Sequence, residues 1–179
     1  SYNTGVGTRS LTSMVLGDGA TAVGYDALRD NTADNNAAFG ALAGRANITG
    51  VNLTAIGYGS GKTQAGATDD DNTWVGYNTG SAANGSASGA NTGVGSGALT
   101  ALTSGASNTA VGWNAGSAIT TAGGNVAIGA GALTANSAYF TTAVGYNALR
   151  VNIAGDNNTA VGYEAGGSQA GSNDDNNTW

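Results

Sequence analysis

An apolar residue followed by glycine returns every 16 to 19 residues along this chain. The glycines are Gly7, Gly24, Gly40, Gly57, Gly76, Gly95, Gly112, Gly129, Gly145 and Gly162, at gaps of 17, 16, 17, 19, 19, 17, 17, 16 and 17. Ten copies of one phrase mean that a short unit stacks on copies of itself. Positions are numbered here from each glycine. Position −1 is always apolar: Val6, Val23, Phe39, Ile56, Val75, Val94, Val111, Ile128, Val144 and Val161. Position −2 is Gly or Ala except at Trp74, −3 is Thr in eight copies, and −4 is Asn in seven. Position +1 is aromatic in six copies, +3 is small, and +4 is Leu in five and Gly in five. A longer repeat overlies this one. Residues 1–74 align with 106–179 at an offset of 105, with 32 of the 74 positions identical.

The phrase Thr-Ala-Val-Gly-Tyr alternates. Thr, Val and Tyr point one way while Ala and Gly point the other, which is a strand period. A helix is a poor reading, because each interior Gly costs it about 1 kcal/mol. Each copy therefore reads as one coil of an all-β, parallel β-solenoid. The single repeat segment, 1–179, has about ten coils of 16–19 residues, and its long units are 1–74 and 106–179. A strand at the glycine is expected to lead through a turn to a second short strand near Ala148 and Leu149. A return rich in Gly, Asn and Asp then leads on, since these residues tolerate corner conformations. The −1 column, with Leu28, Leu99, Leu133 and Leu149, is the expected repeat core. Leu11 belongs to the same file. Gly at +4 leaves room for a neighbouring aromatic. The Ala/Gly strand face, which lacks bulk, is expected to meet sister chains. The longer returns, 61–74, 77–91 and 167–179, should bulge as loops.

Composition removes several function classes. With neither Cys nor His, the chain has no disulfide framework and no such ligand for zinc. A net charge of −6 argues against backbone-driven nucleic-acid binding. No apolar run approaches the ~20 residues of a membrane helix. Gly contributes 32 residues against a usual share of about 7%. The chain begins at Ser1 without Met and stops within a phrase, which suggests a piece of a longer protein.

The wording Asn158-Thr-Ala-Val-Gly-Tyr-Glu-Ala-Gly166, with Asn125-Val-Ala-Ile-Gly129 and Thr141-Thr-Ala-Val-Gly-Tyr-Asn-Ala-Leu149, resembles the head repeats of YadA-like trimeric autotransporter adhesins. It is also similar to repeat shafts of trimeric viral tail fibres, including those of bacteriophages. The adhesin repeat is nearer 14 residues, so the period here is longer. The resemblance implies a left-handed β-roll, three chains around one axis, and a rigid extracellular rod on a virion or bacterial surface. Such a rod is a structural, non-enzymatic fibre segment. It holds a distal region that meets a host receptor or glycan, and inserts into no membrane. The alternatives are a bacterial adhesin head, an ice-binding solenoid built on the Thr file, and a polysaccharide-degrading spike.

The segment 57–63 (GYGSGKT) has one residue too few between its glycines for a phosphate loop and reads as a turn. Asp69, Asp70 and Asp71, with Asp174 and Asp175 at matching places, could hold Ca²⁺ through carboxylates. Solvated loops are the plainer reading, and no other cofactor is expected. The aromatic column reads as packing rather than as a sugar-stacking stripe. Trp74 and Trp179, beside the acidic stretches, are the candidate surface contacts. Asn-x-Ser/Thr sequons at Asn47, Asn52, Asn84, Asn157 and Asn176 follow from composition.

Overall fold

The structure is a computed structural model and describes residues 2–64, 70–83, 89–153, 155–169 and 175–179. It is all-β, a solenoid of about nine turns, with no helix among the described residues. Ten three-residue strands stack in one parallel sheet: β1 Thr4–Val6, β2 Thr21–Val23, β3 Ala37–Phe39, β4 Thr54–Ile56, β5 Thr73–Val75, β6 Thr92–Val94, β7 Thr109–Val111, β8 Val126–Ile128, β10 Thr142–Val144 and β12 Thr159–Val161. Each pairs with the next in the register the repeat dictates, as in Thr92↔Thr109, Gly93↔Ala110 and Val94↔Val111. A second sheet holds β9 Ala135–Asn136, β11 Val151–Asn152 and β13 Ser168–Gln169. Parts of the three long returns fall on 65–69, 84–88 and 170–174, outside the described residues.

The strands end at the repeat glycine for a steric reason. These glycines adopt φ from +118° to +141°, a region closed to residues with a Cβ. A Cβ on Gly112 would lie 2.6 Å from the carbonyl oxygen of Gly129, and the same contact recurs from coil to coil. The second strand expected near Ala148 and Leu149 lies two residues later, and among the described residues only three coils form it, as β9, β11 and β13. At the expected place consecutive turns follow the glycine, closed by Ala27 N–H to Gly24 O, Arg29 N–H to Asp26 O and Asn31 N–H to Leu28 O. Positive φ at +2 and +4 breaks the extended run: Asp26 and Leu28 sit at 56° and 45°. The turns still pair between coils, as in Asp26 N–H to Thr8 O at 3.0 Å and Leu28 N–H to Ala43 O at 3.0 Å.

The interior corrects one expectation. Ala22, Ala38, Ala55, Ala110, Ala127, Ala143 and Ala160 at −2 are fully buried, whereas the −1 column faces outward. The coil is too thin for larger side chains on the strand side unless glycines face them, so methyl groups line most of it. Leu28, Leu99, Leu133 and Leu149 are fully buried as expected, and Leu11 packs against them. Their file explains the Leu/Gly choice at +4. The left-handed backbone favours Gly there, and Leu tolerates it where its side chain fills the interior. Trp74 is the other correction. It is fully buried, not a surface contact, and its indole lies where Cβ atoms on Gly61, Gly80 and Gly93 would stand. These glycines leave the expected room for an aromatic.

Behind the alanines runs a polar column. Asn72, Asn91, Asn108 and Asn125 at −4 are buried and joined coil to coil. Asn108 Oδ1 accepts from the backbone N–H of Asn125 at 3.0 Å and from its Nδ2 at 3.1 Å. Asn108 Nδ2 in turn donates to Asn91 Oδ1 at 3.1 Å and Ala122 O at 3.0 Å. Such a ladder satisfies backbone amides that no strand partner reaches.

Two outcomes test this account. Gly112→Ala should cost about 3 kcal/mol or more in urea unfolding, from backbone strain plus the carbonyl clash. Asn108→Ala should cost about 2 kcal/mol, because the Asn125 amide loses its acceptor.

Candidate interaction face

Positions −3, −1 and +1 all point outward from the stacked strands and build one face. Ten strands at about 4.8 Å give it a length of roughly 43 Å. Val6, Phe39, Ile56, Val111, Ile128 and Val161 are exposed, and Val23, Val75, Val94 and Val144 are partly so. Beside them stand Tyr25, Tyr58, Tyr77, Trp113, Tyr146 and Tyr163, all about half exposed or more; Trp113 reaches 63% and Tyr163 74%. Tyr58 stacks on Tyr77 with ring centroids 5.6 Å apart, and Tyr146 on Tyr163 at 5.4 Å. The stacking follows from register, because identical side chains in successive coils stand one strand spacing apart. The neighbouring Glu164 carboxylate pushes the Tyr163 phenol above its ordinary pKa. On Tyr25 the Arg9 guanidinium lies over the ring, 5.0 Å from its centroid.

Charge is confined to the turns and returns. All five cations occupy +2 or +5: Arg9, Arg29, Arg45, Lys62 and Arg150. Arg9 grips the buried Asp26 carboxylate with two bonds, of 2.7 and 2.9 Å. Arg29 bridges Asp26 at 3.4 Å and Asp30 at 2.6 Å. The carboxylates at −6 form a file with a single role. Asp70 Oδ1 accepts the N–H of Val51 at 2.9 Å, Asp156 that of Tyr139 at 2.8 Å, and Asp175 that of Asp156 at 2.8 Å. Asp18 receives the Tyr2 amide and Asp34 the Asp18 amide. Each fastens its coil to the one before.

That file places the acidic candidates. Asp70 and Asp175 hold backbone amides, and Asp71 accepts Asn52 Nδ2 at 2.9 Å. Asp69 and Asp174 lie outside the described residues. Among the described residues no three His, Cys, Asp or Glu side chains converge as for a metal ion. Trp179 is 39% exposed and lies against Gly166, as Trp74 does against Gly61. Among the described residues no helix is long and apolar enough to cross a membrane.

The carboxylates set an acid limit. The Tyr2 amide holds Asp18 below the usual carboxylate range, and the Arg29 guanidinium does the same for Asp30. A depressed folded pKa stabilises the fold above the unfolded value of ~3.9, and this contribution is lost as pH falls through the folded one. Urea midpoints should therefore drop below about pH 4, and Asp30→Asn should flatten that acid limb. Set against known proteins, the chain matches no family model, no curated protein and no solved structure.

Proposed function

We propose that this chain is a shaft segment of a homotrimeric, extracellular attachment protein, a left-handed β-roll that holds a recognition region away from its base, as in a viral tail fibre. The outward face carries the reading. The interior is already filled by its Ala, Leu and Asn columns, so a coil needs nothing more inside. The Val and aromatic columns nevertheless leave large apolar side chains uncovered in nine of the ten coils, with Val94 half-buried in the other. A continuous stripe of that kind marks a surface meant for burial. Three copies closed around an axis hide all three stripes at once, whereas an open side-by-side contact invites further growth. The number three comes from the resemblance to trimeric heads and fibres. Sister chains therefore meet through the Val and aromatic columns rather than through the alanines.

The role is mechanical. Each coil repeats the same ladder and the same plug, so length is set by copy number. Contact with a host receptor falls to regions beyond this rod. A bacterial adhesin head built on the same coil is the second reading, supported by Asn125–Gly129. The Thr file stands among projecting rings, which favours packing over a flat ice-matching plane. The −6 carboxylates are engaged with backbone amides, which favours a scaffold over a hydrolase.

Sedimentation equilibrium should return three times the chain mass. Trp113→Lys together with Val111→Lys should weaken association about 100-fold or more, since unpaired charges would be buried. The β circular dichroism should survive that change. A well-ordered monomer at every concentration overturns the proposal.

A further inference from the structure

One place on the return edge departs from the repeat. Position −5 takes positive φ in every coil from Gly19 to Asn176, and its occupants are Gly, Asn, Asp, Ala or Ser with one exception. The exception is Phe140, at φ 53° and 64% exposed. A bulky aromatic in that conformation is strained, and its ring, seated on the Gly124 backbone but otherwise exposed, gains no core burial to offset the strain. Beside it Tyr139 is 41% exposed, its hydroxyl donating to Thr121 O at 3.3 Å. The two rings are tilted by 43° with centroids 6.2 Å apart. They flank a cavity of about 330 Å³ whose other walls are Ser104, Ala106, Ser107, Thr121, Gly123 and Gly124.

The first long repeat supplies an internal comparison. Its matching residues are Asp34 and Asn35, on the same backbone. Asn35 N–H bonds to Asp18 O at 2.8 Å as Phe140 N–H bonds to Gly123 O at 3.1 Å, and Asn52 N–H meets Asp34 O as Asn157 N–H meets Tyr139 O. There the Asp34 side chain fastens the preceding coil. In the second repeat that fastening gives way to two exposed rings, and Asp18 is replaced by Gly123. The backbone pairing is kept with either set, and the Tyr139 hydroxyl fastens the preceding coil, but both rings keep much of their surface exposed, which fastening alone does not explain.

We propose that this cavity binds a neutral pyranose unit of a glycan. No residue lining it carries a formal charge, so no ionic ligand is favoured. The Tyr139 and Phe140 rings offer flat apolar surfaces to the C–H face of a sugar. The hydroxyls of Ser104, Ser107 and Thr121 line the same cavity and, with no side-chain hydrogen bond to another described residue, can meet the sugar's own hydroxyls. Gly124 seats the Phe140 ring, since a Cβ there would fall 2.6 Å from its Cδ1, and this fixes that ring as one wall of the site. The size suits one or two sugar rings rather than a long chain. The site lies within one chain and stands whether or not copies associate.

The test uses the whole chain in saturation-transfer NMR against methyl glucoside, galactoside and mannoside, N-acetylglucosamine, sialic acid and a proline-rich peptide. Binding of at least one neutral pyranoside is expected, with affinity falling tenfold or more in Tyr139→Asp/Phe140→Asn. That variant carries the first repeat's own residues, and Asn accepts positive φ better than Phe, so its thermal midpoint should not fall. Silence across the panel overturns the proposal. So does binding confined to sialic acid or the peptide, or neutral-sugar binding that the double variant leaves unchanged.

Discussion

Everything in this rod depends on a contact that only glycine allows. Where each strand ends, the backbone passes so close to the next coil that a Cβ would lie within 2.2–2.6 Å of a carbonyl oxygen. The turn that follows also needs a φ closed to other residues. One residue type thus fixes both the strand's end and the coil's height. Because the same atoms meet at every level, an error at one glycine is not absorbed by its neighbours. This explains why the glycine never varies, while the residue four places later alternates between Leu and Gly.

That alternation is a competition between backbone and interior. At +4 the chain turns left-handed, which costs Leu roughly 1–2 kcal/mol relative to a relaxed conformation. Full burial of a Leu side chain contributes about 1.5–3 kcal/mol. The two are close enough that the neighbourhood decides. Around Trp74 the indole already fills the space, and +4 becomes Gly61 and Gly80. Around Leu133 and Leu149 no aromatic intrudes, and Leu prevails.

Period, register and parallel stacking were legible in the sequence because they follow from spacing alone. Parity separated the two strand faces, Thr with Val and Ala with Gly, but did not say which face is inside. Hydrophobicity pointed to Val, while the thin coil admits a methyl group, or a larger Trp74 only where glycines face it, so Ala22 is buried and Val6 exposed. The second strand was misplaced because Leu149 looks like a strand residue, and its positive φ has no side-chain signature. The −4 Asn column was visible as a column, but its ladder depends on each carboxamide meeting the next coil's amide. The −6 carboxylates were scattered in composition and became a file only once coils of unequal length were aligned on the backbone. Phe140 carried no sequence signal except its departure from Asn35.

The +7 column shows how such a rod tolerates change inside. Asn31 and Asn47 share hydrogen bonds there, as do Asn136 and Asn152 in the second long unit. Leu102 and Ile119 fill the same column in coils between the pairs, fully buried. A lone Asn beside Leu would leave a buried amide without a partner, at a cost of about 1–3 kcal/mol. Adjacent Asn residues share one bond and use return carbonyls such as Gly50 O for others, though Asn47 Oδ1 finds no partner among the described residues, and two adjacent aliphatic residues need none. The unit that must be duplicated intact is therefore a pair of coils or more. Coupling of this kind between neighbouring coils favours duplication in blocks longer than one coil, and the block found here is 105 residues.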